Sequence, residues 1–200
     1  MDFRKWLLES ETQMVPDGYR GILYIMRGVS GSGKSHLALR LAGGDISKVF
    51  SADQWFENQP EGYLASWAIE KLYPAHKWNQ QRVRAAMQRG ITPVVVDNTN
   101  IRIKEARVYM EMAIKYQYWP EIKESDSPWW LQIRELLKNK QLHSDEIKNW
   151  ANKLATGFEH DGKYIKNTHG VPEESIHRLL HKYQPYTLDD IRERIKMGPE

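Results

Sequence analysis

The residues best suited to chemistry lie in a glycine-rich stretch near the amino end of the chain. This stretch reads Gly28-Val29-Ser30-Gly31-Ser32-Gly33-Lys34-Ser35 and fits the pattern GxxxxGK followed by Ser or Thr at every position. Glycines let the backbone curl so that successive N–H groups converge on phosphate oxygens, and a helix that begins there adds the positive end of its dipole. A lysine in this position reaches the β- and γ-phosphates, and the next hydroxyl binds magnesium. The stretch predicts an ATP and Mg²⁺ site whose contacts come from Gly28, Ser30, Gly31, Ser32, Gly33, Lys34, Ser35 and His36.

Two aspartates lie where a site for phosphate transfer would need a carboxylate. A kinase must take the proton from the attacking hydroxyl, and a carboxylate that faces the γ-phosphate normally does so. In doubly wound folds, ligand-facing residues lie at the carboxyl ends of the strands. Asp53 follows the second predicted strand and Asp97 ends the third, so we expect Asp53 to be the base and Asp97 to join Ser35 at the metal. The alternatives are that Asp53 caps a helix and that Asp97 belongs to a turn.

The pattern of apolar runs predicts an α/β fold, in which a parallel sheet carries helices on both faces. Predicted strands cover 21–27, 48–51, 92–96 and 116–123, and predicted helices cover 3–9, 34–42, about 64–89 and 102–115. Beyond Ser125 the pattern changes to a helical region over 128–158, a polar loop-like stretch at 157–170, and helices at 172–183 and 187–196. We interpret 1–200 as one P-loop domain with a core at 21–124, a helical elaboration and lid at about 125–172, and C-terminal helices at 172–196.

Composition narrows the class of protein. Hydrophobic residues at 40% and charged residues at 28% are typical of a soluble globular chain, and no apolar run approaches the roughly 20 residues of a membrane helix. The absence of cysteine excludes disulfides and thiolate metal sites, which fits a cytoplasmic protein. Net charge is only +3, but the stretch 71–107 holds eight Lys and Arg against Asp97 and Glu105. That stretch is either a solvated helix face or a surface that follows phosphates.

Five short segments, taken in order, resemble the polynucleotide-kinase-like branch of the P-loop kinases. They are Gly28–Ser35, Ser51-Ala52-Asp53-Gln54, Ala75-His76-Lys77-Trp78-Asn79, Gly90–Asn100 and Asn167-Thr168-His169-Gly170-Val171-Pro172. The resemblance extends over about residues 21–184. The glycine-rich loop alone indicates only a nucleotide, whereas the ordered set of segments is specific.

The resemblance implies a P-loop NTPase fold with an adenylate-kinase-like core and a helical insertion or lid near the carboxyl end. It also implies transfer of the ATP γ-phosphate to a nucleic acid, DNA or RNA, usually at a 5′-hydroxyl. Asp53 matches the general base of the family, and residues 97–100 match the loop that lines the site. The residues that it places against the acceptor are Asp53, His76, Arg82, Asn98 and Asn100.

Two positions depart from the family pattern. The second acidic residue of the turn is Gln54, and the arginine that usually precedes the lid asparagine is Lys166. A lysine supplies charge without the planar fork that grips two phosphate oxygens. Lys166 is our candidate for the catalytic cation of the lid, with Lys163 and Arg178 as alternatives.

Three other functions remain open at this stage. The acceptor could be the hydroxymethyl group of a modified pyrimidine, such as 5-hydroxymethyluracil in phage DNA, or a small molecule. A nucleotide-gated binding module would not need a base at Asp53. Trp129 and Trp130 could stack on a terminal or flipped-out base, although they could equally belong to the core.

Overall fold

The computed structural model describes residues 14–61, 66, 68–141, 143–165, 167 and 169–198. The helix predicted at 3–9 lies outside these residues. Within them, no helix is long and apolar enough to cross a membrane.

A four-stranded parallel sheet forms the centre of the fold. Its strands are β1 (Gly21–Arg27), β2 (Val49–Phe50), β3 (Val94–Val96) and β4 (Tyr118–Glu124), in the order β2-β3-β1-β4. β1 pairs with both β3 and β4, which makes it a central strand, and all its residues but the last are buried. Continuous apolar strands of this kind need cover on both faces of the sheet.

Helices cover the two faces and the carboxyl edge of the sheet. They are α1 (Lys34–Leu41), α2 (Asp53–Glu57), α3 (Leu72–Gln88), α4 (Ile103–Tyr116), α5 (Pro128–Lys138), α6 (Asp145–Thr156), α7 (Glu173–His181) and α8 (Leu188–Lys196). Alternate residues of β1 point to opposite faces. Leu23 and Ile25 pack with residues of α3, α4 and α8, whereas Ile22 and Tyr24 pack with residues of α1. The predicted α/β fold with a parallel sheet between helices is confirmed.

A separate apolar cluster lies beyond the carboxyl ends of the strands. It joins α5, α6 and α7 to Val29 of the glycine-rich loop and to Ile101, which follows β3. The helices after β4 therefore pack on the loops that leave the sheet, where ligand-facing residues of such folds are found.

Several predicted boundaries were wrong, and local chemistry explains them. The helical region predicted at 128–158 is two helices, because Lys140 adopts a φ of 56° after α5 and the Ser144 hydroxyl caps α6 through the N–H of Ile147. The stretch predicted as a loop contains an antiparallel hairpin of β5 (Phe158–His160) and β6 (Lys163–Ile165). Within the largely helical region predicted at about 64–89, α3 begins at residue 72 after a 3₁₀ turn at Ile69–Lys71, and residues 62–65 and 67 lie outside the described residues.

Candidate active site

The glycine-rich loop connects β1 to α1 and is shaped by positions that accept only glycine. Gly33, just before α1, has a φ of 89°, and a Cβ there would lie 2.7 Å from the Ser125 hydroxyl. Gly31 has a φ of 80°, and its Cβ would lie 3.1 Å from a methyl of Leu154 in α6. Both positions combine a left-handed backbone with a close approach by another segment.

Two polar side chains in this loop are buried without a matching partner. Lys34 is only 8% exposed, and within the described residues no carboxylate pairs with its ammonium group. The Ser32 hydroxyl is buried and makes no hydrogen bond within the described structure. A buried cation without a counter-ion is costly, so the loop fits a polyanion such as the triphosphate of ATP.

Oxygen ligands suited to magnesium stand at the same edge of the sheet. Ser35 is the second residue of α1 and is exposed, and Asp97 follows β3 and is 7% exposed. One carboxylate oxygen of Asp97 is buried and has no hydrogen-bond partner in the described structure. Among the described residues no group of three or more His, Asp or Glu side chains could hold a metal. Mg²⁺ at phosphate-transfer sites takes one or two protein ligands and leaves the rest to phosphates and water, so Ser35 and Asp97 fit that role.

Hydrogen bonds join three loops into one platform at the carboxyl edge of the sheet. The Gly28 N–H donates to the Thr99 carbonyl at 2.9 Å, which ties the glycine-rich loop to the loop after β3. The Ala52 N–H donates to the Asn98 side-chain oxygen at 2.9 Å, which ties that loop to the turn before α2. The platform therefore fixes the turn that carries Asp53 relative to the phosphate loop.

The asparagines of this platform hold the loop after β3 in place through buried hydrogen bonds. Asn98 also donates to the Tyr109 hydroxyl at 3.0 Å, and Asn100 donates to the Met26 carbonyl at 2.8 Å. Burial raises the pKa of Tyr109 to about 12, so its hydroxyl stays neutral, and it accepts the bond from Asn98. Asn98 and Asn100 thus position the loop, and the contact with the acceptor that the sequence predicts for them stays a prediction.

We expect Asn98→Ala to lower the free energy of unfolding by about 1–3 kcal/mol, because it leaves the buried Ala52 N–H without an acceptor. Turnover should also fall, since the turn that carries Asp53 loses its anchor. Urea denaturation and a transfer assay check both. The matched control is Asn139→Ala at the exposed end of α5, which should change neither. Equal effects at the two positions would contradict the positioning role.

Asp53 is the first residue of α2, and its side chain does not cap the helix. Ala52 occupies the N-cap position, and the Asp53 N–H donates to the Ser51 hydroxyl at 3.1 Å. The Asp53 side chain is 37% exposed, so it can reach a substrate. The geometry leaves the role of base open to Asp53 and does not support the capping alternative.

A histidine from the predicted lid lies beside Asp53, and a second histidine, in α3, feels the charge of Asp53. An imidazole nitrogen of His169 lies 3.9 Å from an Asp53 carboxylate oxygen, and the other nitrogen lies 3.9 Å from Glu57. Partial removal from water lowers the pKa of His76, while the charges of Glu105 and Asp53 act in the opposite direction. The structure therefore brings His169 of the predicted lid to the predicted base, and His76 lies within range of the charge on Asp53.

The predicted lid cation is not settled by these contacts. Lys166 lies outside the described residues. Lys163 is exposed in β6, and exposed Arg178 in α7 donates to the Ser175 hydroxyl at 3.3 Å. His36 is exposed in α1, one position beyond Ser35. The cationic role of Lys166 stays a prediction.

Sequence reasoning missed the segment that supports the phosphate loop from outside. After β4, the Ser127 hydroxyl donates to the Ser32 carbonyl at 2.8 Å, and the Trp129 indole donates to the Gly31 carbonyl at 3.0 Å. The signal was available, because the polar turn 125–127 follows the fourth strand at the ligand-binding edge. Trp130 is fully buried in the cluster of α5, α6 and α7, so the idea that it stacks on a base is wrong.

The parallel sheet, the GxxxxGK loop and the carboxylates at strand ends define a P-loop nucleotide-binding protein. A family model described as AAA domain matches residues 23–155. The chain belongs to this AAA domain family, which is a kinase-like family of P-loop NTPases. The match ends within α6, just after the residue that packs against Gly31.

Two relatives match most of this chain, but the matched region is only a small part of each relative. Human NEDD4-binding protein 2 is 30% identical over 82% of this chain, which spans 8% of that protein. Mouse 2′,3′-cyclic-nucleotide 3′-phosphodiesterase is 32% identical over 70% of this chain, which spans 31% of that protein. A solved structure from the PezAT toxin–antitoxin system of Streptococcus pneumoniae is 14% identical, with a TM-score of 0.44 over 98% of this chain and 89% of that one.

Proposed function

We propose that this protein is an ATP- and Mg²⁺-dependent kinase that transfers the γ-phosphate to a nucleic-acid hydroxyl, in particular the 5′-hydroxyl of a polynucleotide. The observation that carries the proposal is the hydrogen-bonded platform, which fixes the Asp53 turn to the phosphate loop through Asn98 and Thr99. A protein that only binds nucleotide has no need to hold an accessible carboxylate there. A kinase does.

In the proposed reaction each side chain has one task. Lys34 and the loop N–H groups hold the phosphates, and Ser35 and Asp97 hold Mg²⁺, which offsets charge on the β- and γ-phosphates when bound. Asp53 takes the proton of the acceptor hydroxyl, and the hydroxyl oxygen forms a bond to the γ-phosphorus. The bond from that phosphorus to the bridging oxygen breaks, and ADP leaves.

Two observations support a nucleic acid as the acceptor. Arg84 in α3 and Arg89 directly after it are exposed, and Arg82 is half-buried beside the Asp53 turn. One relative, of which this chain spans 31%, is named for its action on a cyclic nucleotide, and that name is consistent with a nucleotide-containing acceptor. A basic surface beside the base suits a phosphodiester backbone better than an uncharged metabolite.

Label transfer from γ-labelled ATP tests the proposal. The acceptors are 5′-hydroxyl DNA and RNA oligonucleotides, a duplex that contains 5-hydroxymethyluracil, and a panel of small metabolites. We expect label at an oligonucleotide 5′ end, removable by phosphatase. Label on the base of the duplex would change the acceptor hydroxyl but keep the polymer, and label only on a metabolite would overturn the nucleic-acid assignment.

We also expect binding of the acceptor to weaken steeply with salt. Contacts to three phosphates of a single strand would lower affinity about 20-fold between about 50 and about 200 mM salt, because counterions are released on binding. Measuring the acceptor KM across this range checks the slope. Arg84→Gln combined with Arg89→Gln should flatten it, whereas Lys196→Gln on exposed α8 should not. A KM that does not respond to salt would favour a small, weakly charged acceptor.

A further inference from the structure

Arg82 differs from the other partly buried arginines in the described part of the chain. The others each contact a carboxylate: Arg27 with Glu124, Arg40 with Asp126, Arg102 with Glu105, Arg107 with Glu111, Arg134 with Glu124 and Arg192 with Asp189. Arg82 instead donates to the neutral side-chain oxygen of Gln54 at 2.6 Å. Its charge is therefore left without a counter-charge among the described residues.

Gln54 holds the guanidinium next to the predicted base. The same amide oxygen accepts from the Ser51 N–H at 3.2 Å, and the amide nitrogen donates to the Val49 carbonyl at 3.3 Å. These bonds fix Gln54 to the end of β2, one residue from Asp53. A glutamine at this position orients Arg82 without neutralising it.

Packing against aromatic rings removes the charged guanidinium of Arg82 from part of its water, which makes an unpaired charge there more costly. Its guanidinium carbon lies 4.3 Å from the centroid of the Trp78 ring and 5.2 Å from that of Phe50. Removal from water lowers the pKa of Arg82 below its usual range, and no carboxylate offsets that effect. An anion that entered here would gain a cation that is already oriented and partly desolvated.

An open groove leads to Arg82 along the edge of the sheet. Its volume is about 500 Å³, and its lining residues are Ser47, Phe50, Arg82, Ala85, Gln88 and Arg89. Arg82 and Arg89 lie two helical turns apart on the same side of α3, about 10 Å along the axis. The groove holds two arginines and no acidic side chain, which suits a chain of phosphates.

We propose that Arg82 binds the phosphodiester nearest the attacked hydroxyl, and that Gln54 permits this by holding the guanidinium without a negative charge. The proposal rests on the proposed kinase function and adds the requirement for a charged first linkage in the acceptor. Gln54 is then a residue that determines specificity: a carboxylate in its place would occupy Arg82 and exclude the phosphate.

A pair of oligonucleotide acceptors tests this requirement. They share a 5′-hydroxyl and differ only in the first linkage, which is a phosphodiester in one and an uncharged methylphosphonate in the other. We expect the native protein to prefer the phosphodiester by about 10- to 100-fold in kcat/KM, the effect of one charge-assisted hydrogen bond. Gln54→Glu should remove this preference by slowing the phosphodiester acceptor alone, with the KM for ATP unchanged.

Matched variants separate binding from structure. Gln132→Glu on the exposed face of α5 adds the same charge elsewhere and should keep the preference. Because Gln54→Glu places an oxygen against the Val49 carbonyl and could unfold the turn, Arg82→Gln provides a second route to the same loss. A preference that survives in Arg82→Gln, or equal losses on both acceptors, would overturn the inference and leave Arg82 a structural clamp.

The two levels of the proposal fail in different ways. Equal use of the two acceptors by the native protein would overturn the role of Arg82 alone. Transfer to neither acceptor would overturn the proposed function, and the role of Arg82 with it.

Discussion

Lys34→Ala is expected to abolish phosphate transfer while the protein stays folded. Lys34 is buried without a carboxylate partner among the described residues, so its removal takes away a cation that the fold itself does not use. Loss of such a contact commonly costs several kcal/mol in the transition state, or a rate decrease of about 10³-fold or more. Single-turnover transfer at saturating ATP gives the rate, and urea denaturation gives the stability.

The stability result for Lys34→Ala is as informative as the rate. An unpaired buried lysine opposes folding, so the variant should be no less stable than the native protein. Lys148→Ala, at an exposed site in α6, is the control and should leave turnover unchanged. Turnover near the native value in Lys34→Ala would contradict the assignment of the phosphate loop.

Asp53→Asn is expected to lower kcat by about 10²–10⁴-fold, the usual contribution of a general base. ATP affinity should stay constant, because the carboxylate would contact the acceptor and not the nucleotide. Asparagine keeps the size of the side chain and the position at the start of α2, so the fold should be retained.

A second carboxylate close by provides the matched comparison for Asp53. Glu57 lies at the same distance from His169 as Asp53 does, on the opposite nitrogen of the ring. Glu57→Gln should therefore have a small effect if Asp53 is the base. A large loss in Glu57→Gln with an active Asp53→Asn would exchange the two roles, and loss of ATP binding in Asp53→Asn would move Asp53 to the metal.

The sheet could be predicted because its signals are local and strong. The run 21–27 is mostly apolar, the run 92–96 is rich in β-branched residues, and the glycine-rich loop between a strand and a helix admits few other structures. The hairpin was missed although Asp161-Gly162 is a strong turn signal. Its flanking strands have only three residues each and are not apolar throughout. The polarity of the segment therefore favoured a loop over two strands.

The site was only partly predictable, because its contacts join residues far apart in the chain. That Asp53 follows a strand can be seen in the sequence, whereas the bond from Ala52 to Asn98 depends on strand order. The bonds of Ser127 and Trp129 to the phosphate loop depend on where β4 places the next turn. The sequence shows that Gln54 departs from the family pattern. That Gln54 contacts Arg82 could be seen only once the structure gave the position of α3.

Because Leu154 of α6 lies against Gly31 of the phosphate loop, the substitutions that one segment tolerates depend on the residues of the other. A Cβ at position 31 would lie only 3.1 Å from a methyl of Leu154. A larger side chain at either position would therefore require the other to shift. On the other side of Gly31, its carbonyl accepts from Trp129 in α5. Substitutions at these three positions should therefore be strongly epistatic, with free energies that do not add. In the evolutionary record of such a protein, the inserted helices and the nucleotide loop would have to change together.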